Sequence, residues 1–202
     1  MGSVKQRPYR LQQRQAGVDA TRSRIIAAAL AVLDGGDSFS IEAVAREAHV
    51  ARLTVYDRFG TREGLLEAVF DVLAESGGLI RLPEAFTQED PIAGLEQFIA
   101  IFCGFYSAHR IVLRRLHALE VLGRGVSAET DRNQRRLQGL RVLLGRLASA
   151  SHLDSGTDDV VHAVHALTSF AFIDEFAGPG GDPADVAPQI VALIKAAAHL
   201  DP

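Results

Sequence analysis

The chain has 202 residues, of which 48% are hydrophobic and 23% charged, a composition that indicates a folded globular protein and excludes an intrinsically disordered one. The apolar runs are too short or too charged to predict a membrane span, and the N-terminus lacks the apolar core of a signal peptide, so we expect a cytoplasmic protein with no membrane partner. The single cysteine, Cys103, excludes an intrachain disulfide and agrees with a reducing compartment.

The charge is divided unevenly along the chain. Residues 1–62 hold ten Lys/Arg and six Asp/Glu, a net charge of +4, whereas residues 63–202 hold 11 and 19, a net charge of −8. A basic N-terminal part on an acidic body suits a protein that binds a polyanion. A chance asymmetry of solvated charges accounts for the same numbers, so charge alone leaves both interpretations open.

Residues 1–18 carry four basic side chains and no acidic one, and they show little apolar periodicity. This composition predicts a flexible basic arm. Beside a DNA-binding domain such an arm can follow phosphates or enter a minor groove, and a solubilising tail is the alternative.

Residues 19–66 predict three short helices and the start of a fourth. The first helix runs from about Asp19 or Thr21 to Leu33, and Ser40 stands at the N-cap position of the second. Apolar residues repeat at helical spacing in both: Ile26, Ala29, Leu30 and Leu33, then Ile41, Val44, Ala45 and Ala48. Thr61 stands where it can cap the fourth helix, which is predicted to end near Ser76.

A turn of three residues separates the second helix from the third, which is anchored by Val55 and Phe59 on one side. Two short helices joined so tightly cross at a steep angle, and the second then projects as a rod narrow enough for the major groove of DNA. The sequence therefore predicts a helix-turn-helix DNA-binding domain at residues 19–66.

Residues 67–202 predict a second, larger helical domain. After a loop containing Pro83, the pair Asp90-Pro91 starts a helix that is apolar on all sides and therefore central. Further helices are predicted from Arg110 to Leu122, from about Ala128 to Ala150, from Thr157 through Phe176, and from Asp182-Pro183 onward. In the third of these five helices, Leu137, Leu140, Leu144 and Leu147 form the inner seam, with Arg132, Arg135, Arg136 and Arg146 largely outward. The fold class is thus all-α.

The last two predicted helices carry more apolar surface than one side of a monomer core covers. We therefore expect them to meet a second subunit about a two-fold axis, as an isologous four-helix arrangement. The residues expected at this dimer interface are Phe170, Ile173, Ile190 and Ile194.

Several segments together resemble the TetR family of bacterial transcriptional regulators. They are TRSRII from Thr21, Ser40-Ile41, VARLTVY from Val50 and FGTREGLL from Phe59. The match is specific over roughly residues 20–70 and only architectural beyond. The resemblance implies an all-helical homodimer with an N-terminal DNA-binding domain and a C-terminal domain for a small-molecule effector. It also implies repression that the effector relieves.

The resemblance places Thr54, Tyr56 and Arg62 at positions that contact phosphates. The predicted DNA-contacting set also includes Thr21 and Ser40, together with the groove-facing Arg52, Leu53, Asp57 and Arg58. An arginine can hold a guanine with two hydrogen bonds, and a leucine can meet a thymine methyl group. Glu42 and Asp57 can accept from a cytosine amino group, but we favour an intramolecular pair with an arginine for both acids.

Three positions depart from the family pattern. His49 stands where glycine is usual in the turn, Ala51 replaces the usual capping serine or threonine, and Leu53 is larger than the common residue. Histidine tolerates positive φ better than most residues, whereas the lost cap costs about 1 kcal/mol.

The effector site is expected among the helices of the second domain. Residues that place polar or aromatic groups on otherwise apolar helices are the candidates: Phe102, Cys103, Tyr106, Leu113, His117, His165, Thr168 and Phe172. A core or interface role is the alternative for each of them. His162 and His165, with His117 or Cys103, can be considered as metal ligands, but no dense Cys/His motif supports a metal.

Two other functions remain open at this stage. One is a DNA-binding dimer whose pocket is degenerate and which a protein partner controls. The other is an all-helical enzyme or carrier that uses His109, His117, Asp174 and Glu175 as acid–base groups. No nucleophile–base arrangement, nucleotide loop or metal motif supports an enzyme, and we expect no cofactor.

Overall fold

The computed structural model describes residues 6–36, 38–119, 127–151 and 158–198. The chain divides into two compact units, residues 1–70 and residues 71–202, called here the N-terminal and C-terminal units. All regular structure within the described residues is helical, so the predicted all-α class is confirmed.

The N-terminal unit contains helices α1 (Gln6–Gly35), α2 (Ile41–Glu47) and α3 (Arg52–Phe59) and the first part of α4 (Arg62–Ser76). The predicted cap of α2 is confirmed, since Ser40 Oγ accepts a hydrogen bond of 3.1 Å from the Ala43 amide. Thr61 caps α4 in the same way, with its Oγ1 3.0 Å from the Gly64 amide. The predicted stripes form most of the core, although Leu30 is only half-buried. The buried members are Ile26, Ala29, Leu33, Ile41, Val44, Ala45, Ala48 and Val55. Ile25, which the prediction did not include, is also buried.

Helix α1 begins at Gln6, so residues 6–18 of the predicted arm have regular helical structure, which the sequence analysis did not predict. Extending an existing helix costs little once it is nucleated, and this segment is rich in Gln, Arg, Leu and Ala, which favour helix. Pro8 lies within the first turn, where a missing amide hydrogen costs no helical hydrogen bond.

The C-terminal unit contains the rest of α4, a 3₁₀ helix (Leu79–Arg81) and seven further α-helices within the described residues. These are α5 (Leu82–Thr87), α6 (Pro91–Ala108), α7 (Arg110–Leu119), α8 (Ser127–Ser151), α9 (Asp158–Leu167), α10 (Phe170–Ala177) and α11 (Ala187–Ala197). Pro83 therefore lies in the first turn of a helix and not in the predicted loop. The predicted helix start at Thr157 and the predicted helix end at Leu122 lie outside the described residues.

Helix α6 is the central element of this unit, as its apolar sequence predicts. It starts at Asp90, whose Oδ1 accepts a 2.9 Å hydrogen bond from the Ile92 amide, and it contacts α5, α7, α8, α10 and α11. By length and composition it is also apolar enough to cross a bilayer, contrary to the expectation from sequence, but half of it is buried inside the protein. This burial is the environment of a core helix.

The single helix predicted from Thr157 through Phe176 is instead two helices, α9 and α10, bent by 51°. Thr168 Oγ1 donates back to the Val164 carbonyl at 2.9 Å, and Ser169 Oγ accepts from the Phe172 amide at 3.2 Å. Side chains of this kind compete with the helical ladder and start a new helix.

The last helix also begins later than predicted. Asp182 Oδ1 accepts a 2.8 Å hydrogen bond from the Ala184 amide and closes a turn, and α11 follows at Ala187 with a proline in its first turn.

Helix α8 confirms most of its predicted seam, since Leu140, Leu144 and Leu147 are buried. The outward orientation is wrong for Arg136, which is 7% exposed. It is also wrong for Arg146, which donates to the carbonyls of Phe86 and Gln88 at the end of α5.

Two glycines on α6 offer a matched test of the packing of α5 against α6. A Cβ atom at Gly94 would lie 2.6 Å from the Ala85 carbonyl oxygen, whereas at Gly104 nothing lies within 4 Å. We expect Gly94→Ala to destabilise the protein by about 1–3 kcal/mol, because a backbone atom cannot easily move aside. Gly104→Ala is expected to be neutral or to stabilise by up to about 1 kcal/mol. Urea unfolding of both variants measures the difference, and equal effects would contradict the close approach.

Candidate DNA-binding surface and effector region

Helix α3 presents one face to solvent. Val55 is 1% exposed and anchors the helix, while Arg52, Leu53, Asp57 and Arg58 are all exposed. Leu53 is 69% exposed, which is unusual for a large apolar side chain on a helix of this length. The four predicted groove-facing residues therefore lie on one accessible surface, and its apolar member is free to meet an apolar group such as a thymine methyl.

The turn before α3 has the geometry that its sequence predicts. His49 has a φ of 52°, in the left-handed region, and the Val50 amide donates to the Ala45 carbonyl at 2.9 Å. Ala51 has the extended backbone of an N-cap, with φ −69° and ψ 146°, but it provides no side-chain hydrogen bond. The first turn of α3 therefore lacks the cap that serine or threonine would supply.

Arg52 is held on two sides. Its Nη1 lies 2.5 Å from Oε1 of Glu42 on α2, and its Nη2 donates to Tyr56 Oη at 3.3 Å, with the guanidinium 5.5 Å from the centre of the Tyr56 ring. The hydrogen bond with Tyr56 and the charge of Glu42 raise the pKa of Arg52 above its usual range. The predicted pair between Glu42 and an arginine is confirmed, whereas Asp57 forms no ion pair within the described residues.

Arg62, at the start of α4, lies over an aromatic ring. Its guanidinium carbon is 5.2 Å from the centre of the Phe39 ring, which is itself buried. The ring holds the cation at the surface beside Thr61, the cap of α4.

The remaining predicted DNA contacts have structural roles as well. Thr21 Oγ1 donates to the Gly17 carbonyl at 2.9 Å, Ser40 caps α2, and Thr54 is half-buried. Sequence reasoning did not single out Arg22, whose exposed guanidinium lies 5.4 Å from the centre of the Phe59 ring at the end of α3. The available signal was its position in TRSRII, the segment of α1 that carries part of the family resemblance.

In the C-terminal unit, five of the eight predicted effector residues meet in one place, called here the polar cluster region. Phe102 and Tyr106 have ring centres 5.8 Å apart on α6. The ring centres of Tyr106 and Phe170 are 5.4 Å apart, and those of Phe170 and His117 are 6.4 Å apart. The other two members are His165 and Thr168, at the end of α9 and just after it.

Hydrogen bonds connect the polar members of this region. Tyr106 Oη donates to the Thr168 carbonyl at 3.1 Å, and Arg136 Nη1 donates to Thr168 Oγ1 at 3.1 Å. Arg136 Nη2 donates to Asn133 Oδ1 at 3.2 Å and lies 3.0 Å from His165 Nε2. Burial lowers the pKa of His165, and the charge of Arg136 lowers it further, so His165 is neutral near pH 7.

The other predicted effector residues lie apart from these contacts. Leu113 and Cys103 are buried, and burial raises the pKa of the Cys103 thiol to about 12. Phe172 stacks on Phe176 with ring centres 5.9 Å apart, and Phe176 is 45% exposed.

Arg136 and Asn133 are members of the region that sequence reasoning missed. Arg136 lies four and seven residues before Leu140 and Leu143, so it shares their helical face. That spacing was a usable signal, but arginine was assumed to point outward.

Three of the four predicted dimer residues are incorrectly placed. Ile173, Ile190 and Ile194 are each 0% exposed within one chain, so they cannot form a subunit contact in this conformation. The apolar side chains that these helices expose are instead Phe176 and Leu193, at 45% and 39%. Helix periodicity shows that residues share a face, but it does not show which face a neighbour already covers.

A groove on the C-terminal unit lies apart from the predicted effector residues. This shallow groove of about 550 Å³ is lined by Pro91, Arg141, Val142, Gly145, Arg146, Ser149 and Ala150. Within the described residues, no group of three or more His, Cys, Asp or Glu side chains is placed to hold a metal ion, including the set built on His162 and His165.

One comparison with known protein families identifies a match within the N-terminal unit. Residues 25–69 match the family described as bacterial regulatory proteins, tetR family. This segment contains α2, α3 and the turn between them, together with the capped start of α4. The comparison with curated proteins gave no match.

Solved structures share the fold over most of the chain. One is a proposed fatty acid metabolism regulator from Clostridium perfringens, with a TM-score of 0.62 and 19% identity over 85% of this chain and 96% of that one. NalD from Pseudomonas aeruginosa, the secondary repressor of the MexAB-OprM multidrug efflux pump, has a TM-score of 0.60 and 21% identity over 90% and 96%. A gamma-butyrolactone receptor, an ArpA-like protein, has a TM-score of 0.55 and 17% identity over 91% and 99%.

The missing cap of α3 leads to a stability prediction. We expect Ala51→Ser to stabilise the protein by about 1 kcal/mol, because the backbone already has the N-cap conformation and a hydroxyl can reach a free amide of the first turn. Ala27→Ser, at an exposed interior position of α1, is the control and is expected to destabilise slightly. Thermal unfolding measures both, and a loss of stability in Ala51→Ser would show that the cap geometry is wrong.

Proposed function

We propose that this chain, which belongs through its N-terminal domain to the TetR family of bacterial regulatory proteins, is a homodimeric cytoplasmic repressor that a small-molecule effector releases from its operator. Family membership makes the protein a DNA-binding transcriptional regulator rather than an enzyme. Repression, the dimer and the effector are the proposed parts.

The observation that carries the proposal is the accessible face of α3. Arg52, Leu53 and Arg58 are exposed on a helix that a tight turn joins to α2, and Arg62 lies at the start of the next helix. A guanidinium group can donate two hydrogen bonds to the edge of a guanine or to a phosphate. This surface therefore supplies groups that can read bases and groups that can bind phosphates.

The dimer is supported by exposed apolar surface on the last helices. Phe176 and Leu193 remain exposed, and Phe172 stacks on Phe176. Association of two copies through α10 and α11 would cover these side chains about a two-fold axis. Such symmetry predicts a palindromic operator in double-stranded DNA, with half-sites about one helical turn apart or a multiple of it.

The effector is proposed to bind in the polar cluster region. Aromatic rings of Phe102, Tyr106 and Phe170 lie beside the hydroxyl, imidazole and guanidinium groups of Thr168, His165 and Arg136. An apolar site with a few placed polar groups is the usual environment of a small ligand. The structural neighbours include a repressor of a multidrug efflux pump and a gamma-butyrolactone receptor, which supports small-molecule control without indicating the ligand.

A route for the signal lies at the junction of α6 and α7. His109 Nε2 lies 3.3 Å from Ser76 Oγ at the end of α4, and a Cβ atom at Gly77 would lie 2.5 Å from the Phe105 ring. The adjacent Arg110 donates to Asp174 Oδ1 at 2.5 Å and to the Asp174 carbonyl at 3.1 Å on α10. We propose that movement of α10 on effector binding displaces the end of α4, which favours one spacing of the two DNA-binding domains over another.

The rival enzyme function loses Asp174, one of its four candidate acid–base groups. Burial alone would raise the pKa of Asp174, but hydrogen bonds from Arg114 and Arg110 outweigh it and lower the pKa. Asp174 is therefore a carboxylate committed to two arginines, and it is a poor proton acceptor near pH 7.

Binding of DNA tests the first part of the proposal. We expect Arg62→Ala to weaken binding about equally on all duplexes and to reduce the slope of log K against log salt by about 1, because it removes one phosphate contact. Arg52→Ala is expected to change the preferred base. Arg81→Ala, which removes an exposed arginine of the C-terminal unit, is the charge-matched control and should leave both properties unchanged. Unaltered affinity and preference in Arg52→Ala would show that α3 does not enter the groove.

A ligand screen tests the second part and separates it from a dimer with a degenerate pocket. Compounds that raise the melting temperature are expected to weaken operator binding by about fivefold or more, because linkage joins the two sites. Phe102→Leu should weaken the response to such a compound, while Phe86→Leu, on α5 and outside the polar cluster region, should retain it. Compounds that stabilise the protein without altering DNA affinity would contradict effector control.

A further inference from the structure

We propose that Glu42 determines operator preference indirectly, by holding the Arg52 guanidinium in the orientation that reads a guanine. The inference rests on the proposed function, since it assumes that α3 reads DNA. It assigns Glu42 the role of a positioning residue, which acts through Arg52 and contacts no base itself.

The guanidinium of Arg52 is fixed from two directions. Glu42 Oε1 holds Nη1 at 2.5 Å from a different helix, and Tyr56 Oη accepts from Nη2 at 3.3 Å from the next turn of the same helix. The Tyr56 ring lies 5.5 Å from the guanidinium carbon and limits its tilt. Contacts from two helices fix both the direction in which the Arg52 guanidinium points and the rotation of its plane. A single hydrogen bond would leave that rotation free.

The contacts with Glu42 and Tyr56 leave N–H groups of Arg52 for a guanine. An arginine side chain has five N–H groups, two on each terminal nitrogen and one on Nε. Glu42 takes one from Nη1 and Tyr56 takes one from Nη2, so each terminal nitrogen retains one further N–H among the contacts of the described residues. Two parallel N–H groups match O6 and N7 of guanine in the major groove.

Stability does not account for the ion pair. Both side chains are well exposed, at 58% and 59%, and exposed ion pairs add little to folding. A carboxylate on a DNA-facing surface also repels phosphates, so Glu42 should reduce affinity for any duplex. Glu42 also lies in the first turn of α2, where a carboxylate complements the helix dipole and stabilises the helix modestly. Its contribution to DNA recognition at this location is the orientation of Arg52.

Glu42 could instead accept a hydrogen bond from a cytosine amino group directly. Its Oε1 is engaged with Arg52, which leaves Oε2 for such a contact. The two roles differ in the base that Glu42→Gln affects. A direct role predicts an altered preference at a cytosine, and a positioning role predicts an altered preference at the guanine that Arg52 reads.

The experiment starts from the full-length wild-type protein and a pool of randomised duplexes. After selection of the preferred operator, each guanine is replaced in turn by 7-deazaguanine, which lacks the N7 acceptor, and the dissociation constants are measured. We expect the wild type to lose affinity about tenfold at one guanine in each half-site, and Arg52→Ala to lose none there.

Glu42→Gln and Glu47→Gln are the matched variants, because each removes one exposed carboxylate from α2. Both are expected to bind non-specific duplex more tightly, since both lose a negative charge. Only Glu42→Gln should reduce the 7-deazaguanine penalty, to about threefold or less. A cooperative melting transition in both variants shows that the fold is intact, and small shifts of opposite sign are expected because Glu42 lies in the first turn of α2 and Glu47 in the last. Glu42→Asp keeps the charge but shortens the side chain, so its 7-deazaguanine penalty should lie between those of Glu42→Gln and Glu47→Gln.

Two results would overturn the inference while leaving the proposed function in place. One is a full guanine penalty in Glu42→Gln, equal to that of Glu47→Gln. The other is a loss of preference confined to a cytosine in Glu42→Gln, which would make Glu42 a direct reader. A wild type that selects no sequence would refute the proposed function itself, before any variant is measured.

Discussion

Helix α3 contributes one buried side chain, Val55, so its orientation depends on its neighbours more than on its own packing. An eight-residue helix is not stable alone in water. Two backbone reversals determine where it starts and ends: His49 has a φ of 52° in the turn before it, and Gly60 has a φ of 74° just after it. Because the backbone has positive φ at both reversals, its geometry sets the face that α3 exposes. Exposed Leu53 can then remain unpaired with the core without loosening the helix.

Arginines have a comparable role in the C-terminal unit, where two of them cap short helices. Arg146 donates to the carbonyls of Phe86 and Gln88 at the end of α5, and Arg110 donates to the carbonyls of Gly178 and Gly181 after α10. The last carbonyls of a helix have no partner within it, and a cation there also complements the helix dipole. A guanidinium can serve two carbonyls at once, which an ammonium group does less well. Helices of six and eight residues are thereby held in place by side chains from other helices.

The sequence predicted the N-terminal unit more fully than the C-terminal unit because its signals are local. The Ser40 cap, the positive φ of His49 and the lost cap at Ala51 each depend on residues within a few positions. Burial in the C-terminal unit depends on which helix lies opposite. The fully buried Ile173 was therefore predicted at a subunit interface, and the buried Arg136 was predicted at the surface. The break before α10 was also missed, although Thr168-Ser169 is a pair of residues that favours a new cap.

Affinity and preference place opposite demands on the DNA-binding surface. Each added cation strengthens binding to every duplex equally, whereas a regulator must prefer its operator over a large excess of other sequences. The N-terminal 62 residues carry a net charge of only +4, and an acid, Glu42, lies against Arg52 within the proposed reading face. Arg52 and Arg62 both lie over aromatic rings, at 5.5 and 5.2 Å, which orders their side chains before DNA arrives. Ordered cations lose less conformational entropy on binding, so fewer of them are needed. Pre-orientation thus allows a modest charge to supply the necessary affinity, and the acid can then increase the difference between right and wrong sequences.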